Sequence, residues 1–559
     1  MTLTGHVTAS VLVRREASEP VASPRNLQEF HKRTSFRRFL FRAALCALFA
    51  ALVLLPGARN ARAEVRSQAL VESGELDGDI DEGLRVFEGI PYAAPPVGEL
   101  RWRAPKPPLP WTGIRQAREF GPACPQRPAK DIAIDDMSEN CLTLNIWSPA
   151  WRSSDRLPVM VWIHGGSFET GSSRMPVYNG ANLAKKGVVI VTLNYRLGFL
   201  GFFGHPALTE EAKAANEPTA NFGILDQIAA LQWVQRNIQA FGGDPANVTL
   251  FGESAGGISV LTLMTTPLAQ GLFHKVIVQS GGGRWVAPTL TARAGRFLSA
   301  QGIGERAAEA FGFDDKTALA GLRSERWEAI RDKLGATREI QGYTPFLDGR
   351  VFTEQIETAF SRGDQMRVPM IVGANSYEGV ALRTLFHVSV ADVMHAVAPH
   401  LDDLSDLYPP QLLMTPDFLA DHIWGDAAFM EPARMIARDM SLAGVPVYHY
   451  GFDFQPPLLR LLGGTPHGLD VVYAFGNLAR VVPLPIAMLM HPDNYEVSRT
   501  MVTYWTNFAK NGDPNGGALL EWPRFVESDE ETLVFQNRGL VVERDYLKER
   551  LDLFRGVVW

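Results

Sequence analysis

The sequence predicts an α/β fold, a large and mostly parallel central sheet flanked by helices, with a helical cap region. Three observations predict it. Near-continuous apolar runs recur along the chain, helical periodicity fills the space between them, and a glycine-rich strand-to-helix turn, "VTLFGESAGGIS", occupies 248–259. With 559 residues, 46% hydrophobic and 21% charged, the composition is that of a globular protein with a sizeable core. Disordered and fibrous classes are excluded.

Residues 1–63 stand apart from the rest. "RTSFRRFLFR" (33–42) is basic, and "AALCALFAALVLL" (43–55) is an apolar run of 13 residues, short of the roughly 20 that cross a bilayer. With "ARA" before Glu64 this pattern reads as a secretory signal peptide behind an N-terminal extension, 1–32. Arg37 and Arg38 fit twin-arginine export and equally an ordinary basic leader. The expectation is a secreted or periplasmic protein without stable membrane insertion after cleavage, with 64–559 as a single domain.

Residues 1–63 hold ten Lys and Arg against three Asp and Glu, so their loss takes the net charge from −7 to −14. Such an acidic body is repelled by phosphate backbones and anionic lipid, which excludes nucleic acid as a partner. Of three cysteines, Cys46 falls in the leader. Cys124 and Cys141, with 16 residues between them, are read as one disulfide of an exported protein. They lack the close C-x-x-C spacing and adjacent histidines of a zinc site, and no metal or cofactor is expected.

The apolar runs are "LPVMVWI" (157–163), "GVVIVTLNY" (187–195), "NVTLF" (247–251), "HKVIVQS" (274–280), "VPMIV" (368–372) and "VPVYHYGF" (445–452). Runs apolar on both alternating faces suit parallel strands covered on both sides by helices. Between the second and third, Ile224, Ile228, Leu231, Val234 and Ile238 recur at helical steps, and Gly242 and Gly243 supply the stop. Residues 284–365 and 380–440 offer material for the cap, and the apolar "PLPIAMLM" (483–490) for a pocket wall or lid.

Within the glycine-rich turn, Gly252-Glu253-Ser254-Ala255-Gly256 is G-x-S-x-G between a strand and an apolar helix start. A serine on such a turn is pushed into an exposed, strained position, and small neighbours let adjacent backbone pass. Its hydroxyl needs a base to become a nucleophile, and the intermediate needs oxyanion donors. "WIHGGSF" (162–168) ends a strand with Gly165 and Gly166, whose N–H groups can join that of Ala255.

On this architecture the chain order is serine, acid, histidine. Seven histidines follow both the elbow and the first acid candidate: His387, His395, His400, His422, His449, His467 and His491. His467 is the favourite because "GGTPHGLD" is a loop after the strand run ending at Phe452. For the acid, Glu378 lies just past the run "VPMIV", with Asp453 and Asp470 as rivals.

Beyond these single motifs, the chain resembles the type-B carboxylesterases, the cholinesterase-like branch of the α/β-hydrolases. The likeness runs through "FEGIPYAAPPVGELRW" (87–102), "SENCLTLNIWSP" (138–149), "WIHGGSF", "NYRLGFLGF" (194–202), "FGGDPANVTLFGESAGG" (241–257), "YEG" (377–379), "PHGLD" (466–470) and "WTNFAKNGDPN" (505–515). The resemblance implies an α/β-hydrolase fold and a serine esterase in which Ser254 is the nucleophile, Glu378 the acid and His467 the base. It also implies an oxyanion hole of Gly165, Gly166 and Ala255, an acidic neighbour in Glu253, a disulfide Cys124–Cys141, and an Arg101–Glu139 ion pair. Trp285 suits either an acyl-pocket wall or a core tryptophan.

The resemblance has departures. The loop "PQRPAKDIAIDDMSEN" (125–140) holds no aromatic ring to stack on choline, Asn140 stands for the usual Asp, and Asp470 for the usual Glu. The expected function is hydrolysis of small-molecule carboxylic esters through an acyl-enzyme, not choline-specific. The alternatives are a lipase acting on longer-chain lipid esters and a non-catalytic, adhesion-type relative.

Overall fold

The computed structural model describes residues 67–557 apart from 129–131, 338, 341, 381, 399–403, 405, 409–414, 457–462 and 482–490. The leader-like segment 1–63, His400 and the apolar stretch 483–490 therefore lie outside the described residues. The remainder belongs to one compact unit, Arg66–Trp559.

In chain order the strands are β1 (Ser67–Val71), β2 (Gly74–Asp81), β3 (Leu84–Pro91), β4 (Ile114–Gln116), β5 (Thr143–Ser148), β6 (Leu157–Ile163) and β7 (Val189–Leu193). They continue with β8 (Phe202–Phe203), β9 (Ala220–Asn221), β10 (Gly243–Glu253), β11 (Lys275–Gln279), β12 (Met370–Asn375), β13 (Val447–Asp453), β14 (Thr532–Gln536) and β15 (Gly539–Glu543). The centre of the large sheet runs β7-β6-β10-β11-β12-β13-β14, all parallel. Antiparallel strands extend it, β5, β3, β2 and β1 on one side and β15 on the other.

All six apolar runs are central strands, and their composition follows from their position. On β6, Val159, Val161 and Ile163 pack into one hydrophobic cluster while Met160 and Trp162 pack into another. Each face is covered, so alternation gives way to a continuous run. Burying each such side chain stabilises the fold by roughly 1.5–3 kcal/mol.

The helix Phe222–Asn237 buries Ile224, Ile228, Leu231 and Val234 against the first cluster. A short 3-10 turn follows, and Gly242 ends it at φ 78°, where a Cβ would also strike Ala150. This helix carries Asp226, whose carboxylate takes two bonds from the Arg196 guanidinium, both 2.7 Å, and one from its backbone N–H. Both residues are buried. The Arg101–Glu139 pair is likewise bidentate at 2.7 Å, and Cys124 is bonded to Cys141.

Two long insertions leave the sheet after β11 and β12. The first includes helices Ala300–Phe311, Ala318–Ser324, Trp327–Gly335 and Ile356–Arg362; the second includes Pro416–Gly425, a π-helical turn Asp426–Met430, and Glu431–Leu442.

Candidate active site

Strand β10 ends at Glu253 and the helix Ala255–Thr265 begins two residues later, so Ser254 is the whole turn. It adopts φ 56°, ψ −124°, a conformation that costs a non-glycine residue of order 1–3 kcal/mol. The turn is held by bonds from Ser254 N–H to the Gln279 carbonyl at 3.0 Å and from Ile258 N–H to the Ser254 carbonyl at 2.9 Å. The flanking glycines are sterically required. A Cβ on Gly256 would sit 2.1 Å from the Ile163 oxygen, and one on Gly252 would sit 2.6 Å from the Gly256 backbone.

The loops after β12 and β13 are laced together. Tyr377 N–H donates to the Thr465 carbonyl at 2.9 Å, Thr465 N–H to Ser376 Oγ at 2.8 Å, and Asn375 Nδ2 to the Pro466 carbonyl at 2.9 Å. The lacing puts Glu378 against His467, and His467 Nδ1–H donates to Glu378 Oε2. The other carboxylate oxygen accepts from Ser280 Oγ at 2.5 Å and from Asn375 N–H at 2.6 Å. Glu378 is fully buried, with both oxygens engaged.

His467 Nε2 lies 3.0 Å from Glu253 Oε1, but the two are misaligned for hydrogen bonding and both atoms are without a partner. Burial disfavours the imidazolium, but Glu253, Glu378 and Asp470 outweigh it and lift His467 to about 9. Burial also lifts Glu253 to about 7, against the pull of His467. Phe429, from the π-helical turn, packs on the imidazole with ring centroids 5.0 Å apart.

Gly165 abuts the elbow: a Cβ there would be 3.0 Å from Ser254 Cβ. Among the described residues, the N–H groups of Gly165, Gly166 and Ala255 donate to no other backbone carbonyl. His164 braces this loop. Burial pulls its imidazole down to about 4, so the neutral ring donates from Nδ1 to the Gly165 carbonyl at 2.8 Å while stacking on Tyr195. Ser254, Glu253, His467 and Gly166 all line one cavity of about 520 Å³, walled also by Val177, Tyr178, Phe297, Tyr343, Leu382 and Phe386.

The rival residues are placed elsewhere. His449 is buried against Thr532 and Phe525, and His422 is stacked on Tyr377. His387, His395 and His491 are exposed. Asp453 accepts from Ser376 and Gln455, and Asp470 is saturated by Gln279, Tyr450 and Asn375. Trp285 is not among the described residues lining the cavity; it packs on Phe352, which corrects the pocket-wall expectation in favour of a core tryptophan.

Sequence reasoning missed Ser280, Gln279, Phe429 and His164. His164 lies inside "WIHGGSF", and its burial behind the glycines is a tertiary feature that the motif does not signal.

A model of the family described as "Carboxylesterase family" matches residues 66–401 and 419–554. The para-nitrobenzyl esterase of Bacillus subtilis is 35% identical over 500 residues, covering 85% of this chain and 96% of that protein. The fumonisin B1 esterase of Sphingopyxis macrogoltabida is 34% identical over 479 residues, covering 82% and 84%. Among solved structures, a carboxylesterase from Geobacillus stearothermophilus aligns with a TM-score of 0.74 at 32% identity, covering 88% of this chain and all of that one.

Proposed function

Because this chain belongs to the carboxylesterase family, and is a carboxylic ester hydrolase of the α/β-hydrolase fold, we propose that it works through Ser254, His467 and Glu378. The observation that carries the reading is that His467, bonded to Glu378, lines one cavity with the serine of the strained elbow. The loop 125–140 offers no aromatic ring for a quaternary ammonium, in keeping with an esterase that is not choline-specific.

In the forward step, Ser254 Oγ attacks the ester carbonyl while His467 Nε2, free of any aligned partner, takes its proton. Glu378, holding Nδ1–H, keeps the ring in the right tautomer and stabilises the imidazolium. Negative charge grows on the carbonyl oxygen, where the N–H groups of Gly165, Gly166 and Ala255 receive it. The tetrahedral intermediate collapses as the imidazolium protonates the departing alcohol. Water then attacks the acyl-enzyme, giving its proton to His467, and Ser254 leaves with that proton as the acid is released.

The experiment is Ser254→Ala assayed with p-nitrophenyl butyrate. Turnover should fall by roughly a thousandfold or more with circular dichroism unchanged; undiminished hydrolysis would remove Ser254 from this role. We also propose that the protein works in the periplasm or outside the cell, supported by the Cys124–Cys141 disulfide and the leader-like 33–63. Activity confined to the cytosolic fraction of its native cells would contradict that placement.

A further inference from the structure

The cavity that holds Ser254 is also lined by Arg127, Arg296 and Glu169. We propose that the preferred substrates are esters carrying a carboxylate, recognised by the guanidinium groups of Arg127 and Arg296. This rests on Ser254 as the nucleophile and adds the substrate class.

Five arginines of the protein interior are neutralised by carboxylates, whereas buried Arg85 is held by the Gln68 carbonyl and the Phe87 ring, away from the cavity. Arg101, Arg196, Arg284, Arg434 and Arg550 each make a two-pronged contact with Glu139, Asp226, Glu431, Glu530 and Asp426. Arg296 differs. Its guanidinium lies between the rings of Phe297 and Phe386, 4.5 Å from each centroid, and donates to the Phe386 carbonyl. Among the described residues no carboxylate is within ion-pair distance of it. Burial lowers its pKa to about 10, which leaves the group charged at neutral pH but poorly solvated.

Arg127 reaches the same cavity from the disulfide loop. Its neighbour Gln126 clamps that loop to Gly171 by two hydrogen bonds of 2.8 Å, fixing where the Arg127 backbone sits. Glu169 lines the same cavity, and burial raises its pKa against the pull of Arg127 and Arg296. Of the two carboxylates among the described residues that line the cavity with these guanidiniums, Glu253 sits beside His467, which leaves Glu169 as the one other acidic group against two arginines. A planar fork of donors held by aromatic stacking is suited to a carboxylate, and the apolar Phe297, Phe386 and Leu382 can take the intervening carbon chain.

The test compares kcat/KM for isosteric pairs. Monoethyl adipate against ethyl hexanoate puts the charge on the acyl side; carboxymethyl butanoate against ethyl butanoate puts it on the alcohol side. In at least one pair the charged ester should be preferred, and added salt should erode the preference of the wild-type protein. The charged-to-neutral ratio should drop about tenfold in R296Q and in R127Q, and R296K should recover part of it. Arg127 is exposed, so its variant does not depend on refilling the stacked site. Preference for the neutral ester in both pairs, or a ratio unmoved by the Arg variants, would overturn the proposal. Failure to hydrolyse any of the four esters would instead count against Ser254 as the nucleophile.

Discussion

As the proposed general base, His467 must be neutral to accept a proton, yet it is surrounded by carboxylates that favour the opposite. With Glu253, Glu378 and Asp470 lifting it to about 9, the imidazole is mostly protonated at neutral pH. We therefore expect kcat/KM to rise from pH 6 upward and to level off only as pH approaches about 9. Glu253→Gln removes one of those charges beside Nε2, so the rising limb should move to lower pH in a pH–rate profile. A limb that stays in place would show that Glu253 does not act on His467. Spacing in the sequence could pick His467 from its rivals because a glycine- and proline-rich loop past a strand is where such a group belongs. It could not see that Glu253, beside Ser254, also faces His467, because that contact joins residues more than two hundred positions apart.

The elbow and its partner loops are set by close backbone contacts, which gives Gly256 a checkable role. Gly256→Ala places a methyl 2.1 Å from the Ile163 oxygen, so β6 or the elbow must shift. Such overpacking costs about 1–3 kcal/mol, and kcat/KM should fall more than thermal stability alone would account for. On the helix Phe222–Asn237, Asp226→Asn leaves the buried Arg196 guanidinium uncompensated, a loss of about 3–5 kcal/mol that denaturant unfolding can measure. The parallel strands were legible because both of their faces are buried. Strand β2, "GELDGDID", was not, since only part of it is covered and its polar residues form no apolar run. The π-helical turn that delivers Phe429 was equally hidden, because nothing local in "DAAFM" distinguishes it from an ordinary helix.

At the scale of the molecule, one cavity draws on segments from every third of the chain: the disulfide loop, the glycine turn after β6, the elbow, the two insertions and the loop after β13. The disulfide ties the first of these down. Replacing Cys124 and Cys141 with serine should reduce stability by about 3 kcal/mol, seen as a lower unfolding midpoint under oxidising conditions. Family likeness singled out Ser254, Glu378 and His467 in the sequence, whereas the charge of the cavity wall emerged only once Arg127 and Arg296 were brought together. Peptide mapping by mass spectrometry after reaction with a fluorophosphonate tests the proposed roles of Ser254 and His467 most directly. The account predicts a single adduct on Ser254 that is lost in Ser254→Ala and forms far more slowly in His467→Ala. An adduct on another serine, or labelling of Ser254 at an undiminished rate without His467, would contradict it.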